Sequence, residues 1–473
     1  MPSPSGAIIP QAEWIPEADQ FFSKFDDLFD TGARGEETQR SARAYFTGLH
    51  LPNEERKSVE NLAEKLPETS AHELYHFLAY SPWEAGRVQT RLAQVLGEKI
   101  ASPLSVLALD DTGLPKQGKA SVGVAHQYCG VLGKVANSQA AVSLQYVLPN
   151  FDYYPNLSSF LVGMGLYLPE KWVTDLERRK RVGVPEDVSF HPKWRIGLDF
   201  IDRARKLKLL HRAVVGDAGF GMPEFRRELR YRKEPYLLGV QPTGTTRVQV
   251  EGRGDPVSPE VAAKELTPEQ WMMVRWAEGT KGPLEIETAR LKVVVWEEGK
   301  PTDEAGWLIF ERRDNETKTY LAWGMNRLPL VEQLRIMRSR FPIEQSYQHM
   351  KEELGLDHFE GRSWRGWHHH VTMVGMAQGF LMLVRQGEER RAERKKGKPR
   401  RLPSVPKVRK YLNTKVATGF VRLIEQNPER RVEIAVLMSQ VYGTPVWMRD
   451  GHPYMPTLSE FIGEEDPPPE VPE

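Results

Sequence analysis

A chain of 473 residues with 40% hydrophobic and 27% charged residues has the length of two to four domains and the composition of an ordinary soluble protein. It has no run of 18 apolar residues, and its first residues lack the basic and apolar regions of a signal peptide. We therefore expect a cytoplasmic protein without a membrane partner. The single cysteine, Cys129, excludes an internal disulfide and a Cys-rich zinc module, and predicts a small buried thiol.

Charge is unevenly distributed along the chain. The formal net charge is only +1, yet residues 385–415 contain 13 Lys or Arg and three Glu. Such a segment either binds phosphate groups or is a solvated linker, and its composition fits both readings. Residues 464–473 are acidic and rich in proline, which predicts a disordered tail.

Residues 1–100 predict a helical N-terminal domain that binds DNA. Gly, Pro, Ser and Thr residues divide it into segments in which apolar residues recur at helical spacing. Basic residues stand next to aromatic ones at 40–46 and 83–91, as in small DNA-reading bundles, although ordinary helices show this pattern too. The predicted helices span residues 12–29, 37–49, 54–66, 71–79 and 85–100.

Residues 101–241 predict the first part of an α/β core. The apolar run Leu104–Leu109 indicates a buried strand that ends at Asp110 and Asp111. A later predicted strand, 209–216, likewise ends at an acid, Asp217. Further strands are predicted at residues 120–128, 139–148 and 235–241, and helices at residues 171–181, 192–208 and 224–232.

Residues 242–322 predict a β-rich insertion, because Gly, Thr and Pro turns separate β-rich stretches there. The second part of the core is predicted at 323–385, with a helix from residue 330 and an apolar helix at 371–385. A basic linker and a helical C-terminal region are predicted at 386–463. Helices are expected within it at residues 415–426 and 433–442.

The stretch from Arg340 to Gly355 predicts an amphipathic helix. Pro342 suits a first helical turn, so the helix begins or bends there. Glu344 and Lys351 share a second, polar stripe at the margin of the core-facing stripe. The core-facing stripe consists of Ile343, Tyr347, Met350 and Leu354.

Three acids occupy positions that suit a metal site: Asp110 or Asp111, Asp217 and Glu344. Mg²⁺ prefers oxygen ligands, and two such ions about 3.5–4 Å apart can promote an in-line displacement at phosphorus. Taken by itself, each Asp is also a residue type that is common in turns. Because side chains on a strand alternate between its faces, Asp110 and Asp111 cannot both point at one site without a bulge.

Several motifs together resemble those of bacterial insertion-sequence transposases of the DDE class. The resemblance runs from about residue 20 to about residue 440 and is nearest to a branch whose third motif is Tyr, Arg, Glu and Lys at spacings of three, four and seven. Arg340, Glu344 and Lys351 match the last three, whereas Met337 replaces the Tyr. The three stretches that carry the resemblance are Leu109–Lys119, Val215–Phe220 and Arg340–Arg362.

The resemblance implies a ribonuclease H-like α/β fold with a β-rich insertion. It also implies two Mg²⁺ ions, replaceable by Mn²⁺, held by Asp110, Asp217 and Glu344. In related enzymes Ser or Thr commonly stands two positions after the first metal-binding Asp, which favours Asp110, followed by Thr112, over the alternative Asp111. In that family the Arg of the third motif is associated with holding DNA near the cut end.

Basic and aromatic residues near these motifs are candidate DNA contacts. Trp323, like Trp271 and Trp276, either stacks on a flipped base or fills the core of the insertion. Residues 368–370 are three consecutive histidines, which diverge by about 100° on a helix, so packing or a phosphate contact is favoured over metal binding. The candidate phosphate contacts are Arg340, Lys351, Lys116, Lys119, Arg362 and Arg365.

The predicted function is that of a transposase, which cleaves transposon ends and transfers their 3′-hydroxyl strands to target DNA. Its predicted partners are double-stranded DNA and, in the DNA complex, a second copy of the chain, and its predicted place is the bacterial nucleoid. Two alternatives stay open. One is a ribonuclease H-like nuclease or resolvase without strand transfer, and the other is a domesticated DNA-binding protein whose acids are structural.

Overall fold

The computed structural model describes most of the chain between residues 16 and 426. For residues 388–396 and 416–426 only the backbone is described, and among the described residues no helix is both long and apolar enough to span a membrane. The start of the first predicted helix, the helix at 433–442 and the acidic tail lie outside the described residues. The described residues are 16–51, 56–66, 69–148, 151, 158–279, 281–313, 316–396, 403–426, 448–449 and 452–453.

The N-terminal part is helical, as predicted. The helix Ala71–Ala79 begins with a capping box, in which Ser70 and Glu73 satisfy each other's backbone N–H groups. The helices bury a cluster of aromatic rings, among them Phe22, Phe46 and Phe77, against the rest of the core. The helices are α1 (Pro16–Phe22), α2 (Asp26–Phe29), α3 (Gly35–His50), α4 (Val59–Lys65), α5 (Ala71–Ala79) and α6 (Ala85–Ile100).

A mixed sheet forms the centre of the molecule, and within the described residues it has 11 strands. Its strands are β1 (Val106–Pro115), β2 (Ala125–Cys129), β3 (Lys134–Leu148), β4 (Ser158–Tyr167), β5 (Ala213–Gly216), β6 (Tyr236–Gly239), β7 (Arg247–Val250), β8 (Met272–Gly279), β9 (Gly282–Glu297), β10 (Lys300–Arg313) and β11 (Glu316–Trp323). The order is β2-β3-β1-β5-β6-β11-β10-β9-β7, with β4 also paired to β3 and β8 to β9.

The hydrogen-bonding directions define the core of this sheet. Strand β3 is antiparallel to both β1 and β4, whereas β1, β5 and β6 run parallel to one another. Three antiparallel strands followed by two parallel ones, with helices on the faces, make a ribonuclease H-like α/β core. The predicted fold class is therefore confirmed.

Two strands differ from the prediction. Strand β1 does not end at Asp110 but continues to Pro115, because the long strand β3 pairs with it along its whole length. Strand β4 was not predicted, since its glycines weaken the strand pattern. Those glycines are required by packing: a Cβ on Gly163 would lie 2.4 Å from the Phe200 ring of the helix above it.

The predicted insertion is part of the same sheet. Strand β11 pairs antiparallel with β6, and β10 and β9 follow in order. The β-rich stretches predicted at 291–297 and 305–312 lie within β9 and β10. The insertion thus extends the edge of the core sheet.

Helices cover the sheet and complete the core. The helix predicted at 171–181 is divided at Asp175, whose side chain caps the second half by accepting from the backbone N–H of Arg178. These helices are α7 (Glu170–Thr174), α8 (Leu176–Arg181), α9 (Lys193–Lys206), α10 (Pro223–Tyr231), α11 (Pro259–Lys264), α12 (Leu330–Arg338), α13 (Pro342–Glu352), α14 (Trp364–Lys396) and α15 (Val405–Gln426). Strands β12 (Met448–Arg449) and β13 (His452–Pro453) form a separate two-stranded sheet.

The basic segment was predicted to be a linker, but most of its described part is helical. Helix α14 continues to Lys396 and α15 begins at Val405, ten residues before the predicted start. Arg409 explains the early start, because it is anchored by Glu353 (2.6 Å) and by the carbonyl of Leu51 (2.9 Å). Basic residues of this segment therefore also serve packing.

Buried histidines make the fold sensitive to acid. Burial lowers the pKa of His50 to about 4 and that of His369 to about 3. Because the unfolded chain takes up protons near pH 6.5 and the folded chain does not, the free energy of unfolding falls as the pH drops from 7 toward 4. At pH 5 each such histidine lowers it by about 2 kcal/mol. Urea unfolding at pH 7.5 and pH 5 should show a smaller decrease for His50→Gln than for the wild type.

The exposed His72 provides the control for this measurement. His72→Gln should keep the wild-type dependence of unfolding free energy on pH. Equal pH dependences for His50→Gln and the wild type would contradict the assignment of acid sensitivity to the buried ring.

Candidate active site

Strand register places the first two acids side by side. Strands β1 and β5 are parallel, and their last paired residues are Leu109 and Gly216. Asp110 and Asp217 are the residues that follow, so they lie at the same edge of the parallel part of the sheet. Asp217 also caps its own turn, because its Oδ1 accepts from the backbone N–H of Gly219 at 2.9 Å.

The turn after Asp217 requires glycine because it lies directly on the neighbouring strand. A Cβ on Gly221 would lie 1.8 Å from the carbonyl oxygen of Gly239 in β6. The Asp217 turn is thus packed closely against the sheet, and the turn interpretation of the Asp-Ala-Gly sequence agrees with the structure.

The third acid reaches the same cleft from helix α13. The helix begins at Pro342, as predicted, and its predicted stripe is buried. Glu344 lies in the first turn with half of its side chain exposed. Tyr347 ties the helix to the sheet: its hydroxyl donates to the Asp110 carbonyl (3.1 Å) and pairs with the Ser143 hydroxyl (2.7 Å).

Arg340 connects the acids of the cleft. Its Nη1 donates to Asp110 Oδ2 at 2.8 Å, and its Nη2 donates to Glu344 Oε1 at 2.7 Å. Burial, the largest single influence, lowers the pKa of this guanidinium. The nearby carboxylates, including that of Asp217, together outweigh burial, so the pKa is raised. One partly buried cation thus pairs with two of the three carboxylates.

The environment of Asp110 disfavours its charged form. Burial raises the pKa of its carboxyl to about 7, with the nearby charge of Asp217 adding to the shift and Arg340 opposing it. The neighbouring Asp111 has a different partner, Lys193, whose Nζ lies 2.8 Å from Asp111 Oδ2. The two adjacent acids therefore make separate ion pairs.

Both acids belong to one cleft of about 780 Å³. Its charged lining residues are Asp110, Asp111, Asp217, Glu344, Glu352, Arg340, Lys193 and Lys351. Carboxylate oxygens are the donors that hard divalent cations prefer. Among the described residues, however, no three His, Cys, Asp or Glu side chains are close enough together to hold a metal ion. In this geometry the cation at the acids is the Arg340 guanidinium.

The predicted DNA contacts fall into two groups. Lys351 lies in the cleft with Arg340, where its Nζ donates to the Thr112 hydroxyl at 2.8 Å. Lys116, Lys119, Arg362, Arg365 and Trp323 are all described residues, and none of them lines the cleft.

The second group is distributed over other surfaces. Lys116 donates to the carbonyl of Phe359 at 2.6 Å, and burial lowers its pKa to about 8. Arg362 and Arg365 line a separate cavity of about 770 Å³ between the N-terminal helices and the core. The Lys119 carbonyl accepts from Arg178, and Trp323 stacks on the ring of Tyr236.

Some residues of the cleft were not identified from the sequence. Lys193 lies on α9, far from the acidic motifs in the chain, and no sequence signal links it to Asp111. Tyr347 was assigned to the core stripe, which is correct, but its hydroxyl also contacts β1. The three consecutive histidines pack as expected: His369 and His370 are buried, and each contacts backbone carbonyls.

Comparison with known proteins shows the family of the chain. The family model described as DDE superfamily endonuclease matches residues 20–283, more than half of the 473 residues. The chain belongs to this family. The matched region contains Asp110 and Asp217 and ends before Glu344.

Two individual proteins are similar to the chain. A protein of Microchaete diplosiphon named as a probable transposase for insertion sequence element IS701 is 30% identical over 102 residues. That alignment covers 21% of this chain and 27% of the relative. A cryo-EM structure of piggyBac transposase in a synaptic complex with hairpin DNA has a TM-score of 0.44 and 10% identity. It covers 93% of this chain and 89% of that one.

The ion pair between Arg340 and Asp110 should be measurable as a stability coupling. Arg340→Gln leaves the buried Asp110 carboxyl without its cation, so we expect the free energy of unfolding at pH 8 to fall by about 3 kcal/mol. Adding Asp110→Asn should restore most of that loss. Urea unfolding of both single variants and the double variant measures the coupling.

Arg275→Gln is the matched control, because it breaks an exposed pair with Glu278. This substitution should lower the free energy of unfolding by less than about 1 kcal/mol. A loss for Arg340→Gln as small as the control's, or one that Asp110→Asn leaves unchanged, would show that the pair does not stabilise the cleft.

Proposed function

We propose that this DDE-family protein is a DNA transposase, which cleaves transposon ends and transfers their 3′-hydroxyl strands to target DNA. The observation that carries the proposal is that Asp110, Asp217 and Glu344 line one open cleft, in which Arg340 is bonded to Asp110 and Glu344. Two acids come from adjacent parallel strands and one from a helix across the sheet. These elements fix the backbone positions of the three acids. In the present geometry, with Arg340 between two of them, the three carboxylates of the described cleft are not close enough together to hold a metal ion, so binding one would require their side chains to turn toward each other.

The proposed ligand set for two Mg²⁺ ions, or for Mn²⁺ in their place, is Asp110, Asp217 and Glu344, with Asp111 as the alternative to Asp110. When bound, such ions activate the attacking oxygen and stabilise the leaving oxygen at phosphorus. Because Arg340 holds one oxygen of Asp110 and one of Glu344, we infer that it leaves these carboxylates when they become ligands. The released guanidinium is then free to bind a DNA phosphate, the role that the Tyr-Arg-Glu-Lys resemblance implies for it.

Two reactions follow from this assignment. Water attacks the phosphorus at a transposon end, the P–O bond to the 3′-oxygen breaks, and a free 3′-hydroxyl and a 5′-phosphate result. That 3′-hydroxyl then attacks a phosphodiester of the target, joining the transposon strand to it as the target's own 3′-oxygen leaves. Lys351 and Lys193, which line the cleft, are placed to bind phosphate oxygens. No covalent link to the protein is needed.

DNA binding outside the cleft is part of the proposal. Arg362 and Arg365, which line the cavity beside the N-terminal helices, would contact the phosphate backbone, with Lys116 and Lys119 as further contacts. We propose that the DNA runs from that cavity toward the acids. Because two transposon ends must be cut and joined together, we propose that two copies of the chain act in the DNA complex.

The acids can be tested by isosteric substitution. In cleavage of a duplex carrying the end of the element, Asp110→Asn, Asp217→Asn and Glu344→Gln should each lose roughly 10³-fold or more of the rate, with binding of the duplex retained. Asp111→Asn is the matched control, since Asp111 pairs with Lys193, and it should keep most of the activity. Full activity of Glu344→Gln would overturn the mechanism.

Strand transfer separates the proposal from the nuclease or resolvase alternative. Pre-cut ends with free 3′-hydroxyls, incubated with a supercoiled target plasmid and Mg²⁺ or Mn²⁺, should become joined to the plasmid. Cleavage without joining would favour the nuclease. Binding without cleavage in either metal would favour a DNA-binding protein whose acids are structural.

A further inference from the structure

The tip of the hairpin formed by β2 and β3 exposes an apolar surface. The surface comprises Tyr128 (69% exposed), Val131 (56%), Leu132 (43%) and Val135 (53%). Tyr128 and Val135 lie opposite each other in the antiparallel ladder, so their side chains share one face of the hairpin. Grouped large apolar side chains of this kind usually mark a binding surface. We call these four residues the hairpin tip.

Two of the four residues of the hairpin tip, Tyr128 and Val131, reach the cleft that contains the acids. Tyr128, Gly130 and Val131 line that cleft together with Asp110, Asp217 and Glu344.

The hairpin is also held rigidly on the strand that carries the first acid. Strand β3 pairs with β1 along residues 106–115, and the buried Cys129 Sγ lies 2.6 Å from where a Cβ on Gly113 would be. A ligand phosphate at the acids would therefore bring the adjoining part of the ligand against the hairpin tip.

The tryptophans considered for base stacking are engaged elsewhere. Trp276 is buried, Trp323 stacks on Tyr236, and the Trp271 ring lies under the guanidinium of Arg312 at 3.8 Å. Of the two aromatic residues that line the cleft within the described chain, Tyr347 is buried. Tyr128 is thus the exposed aromatic residue at the acids.

We propose that the hairpin tip binds a DNA base that is unpaired or unstacked next to the scissile phosphate. Tyr128 stacks on the face of the base, and Val131 and Leu132 occupy the gap between base steps. Every base has a face that stacks on an aromatic ring, and apolar side chains inserted between base pairs separate them. Lys134, exposed beside the tip, supplies a charge for the adjoining phosphate. This inference rests on the proposed action on DNA and names the residues that open the duplex at the cut.

The test compares two DNA probes by fluorescence anisotropy in EDTA, which prevents cleavage. One is a fully paired duplex ending at the cut site, and the other is the same duplex with its last two base pairs mismatched. The wild type should bind the mismatched probe more tightly. Tyr128→Ala should bind the mismatched probe about tenfold more weakly than the wild type, with little change for the paired probe. Tyr128→Phe should retain the preference.

Tyr231→Ala is the matched control, because Tyr231 on α10 is 84% exposed and does not line the cleft. It should bind both probes as the wild type does. Equal affinities of Tyr128→Ala and the wild type for the mismatched probe would overturn this proposal while leaving DNA cleavage intact. A wild type that binds neither probe would overturn the proposed function as well.

A second copy of the chain is the other occupant that an apolar tip could bind. Light scattering without DNA, on the wild type and on a Val131→Ser/Leu132→Ser double variant, distinguishes the two. The proposal expects the same mass for both proteins and a loss of mismatch preference in the variant. The opposite result is a dimeric wild type and a monomeric double variant that still prefers the mismatched probe. It would assign the tip to contact between copies and overturn the proposal.

Discussion

The cleft depends on one charge, that of the Arg340 guanidinium. Asp110 and Asp217 are brought together by the parallel register of their strands, and the charged form of the buried Asp110 is unfavourable beside a second carboxylate without a cation. Arg340 supplies it and also holds Glu344, so its charge adds to the bonds of Tyr347 in joining helix α13 to the sheet. Under the proposed function, an incoming metal ion would compete with the guanidinium for the same carboxylate oxygens.

The insertion supports the site from a distance. Its strand β10 carries Glu304, a buried carboxylate that binds Arg226 and Arg230 of helix α10 at 2.7 Å each. Arg226 also donates to the carbonyl of Gly221, at the end of the turn that begins with Asp217. Because a buried ion pair is strongly directional and expensive to break, this network fixes the turn relative to the extended sheet. The position of Asp217 is thereby linked to a segment more than 80 residues later in the chain.

Local sequence patterns correctly predicted the structural features that depend on only a few neighbouring residues. Pro342 predicted the start of helix α13, and the spacing of its apolar residues predicted the buried face. Strand β4 was missed because Gly163 weakens the pattern, and the reason for that glycine is Phe200, which the sequence does not show to be near. The extension of β1 beyond Asp110 was also missed, because it depends on pairing with β3 and not on the polarity of its own residues.

The sequence by itself determined the alternation of strands and helices and the order of the acids, which follow from short-range patterns. The order of the motifs carried the family resemblance, and that resemblance implied the ribonuclease H-like fold. Only the tertiary structure decided the partners of the charges. Asp110 pairs with Arg340 and Asp111 with Lys193, whereas Arg362 and Arg365 line another cavity. Partner choice depends on distances across the sheet of a few ångström, which residue spacing along the chain does not specify. Since both residues are aspartates, these distances, and not residue type, distinguish the partner of Asp110 from that of Asp111.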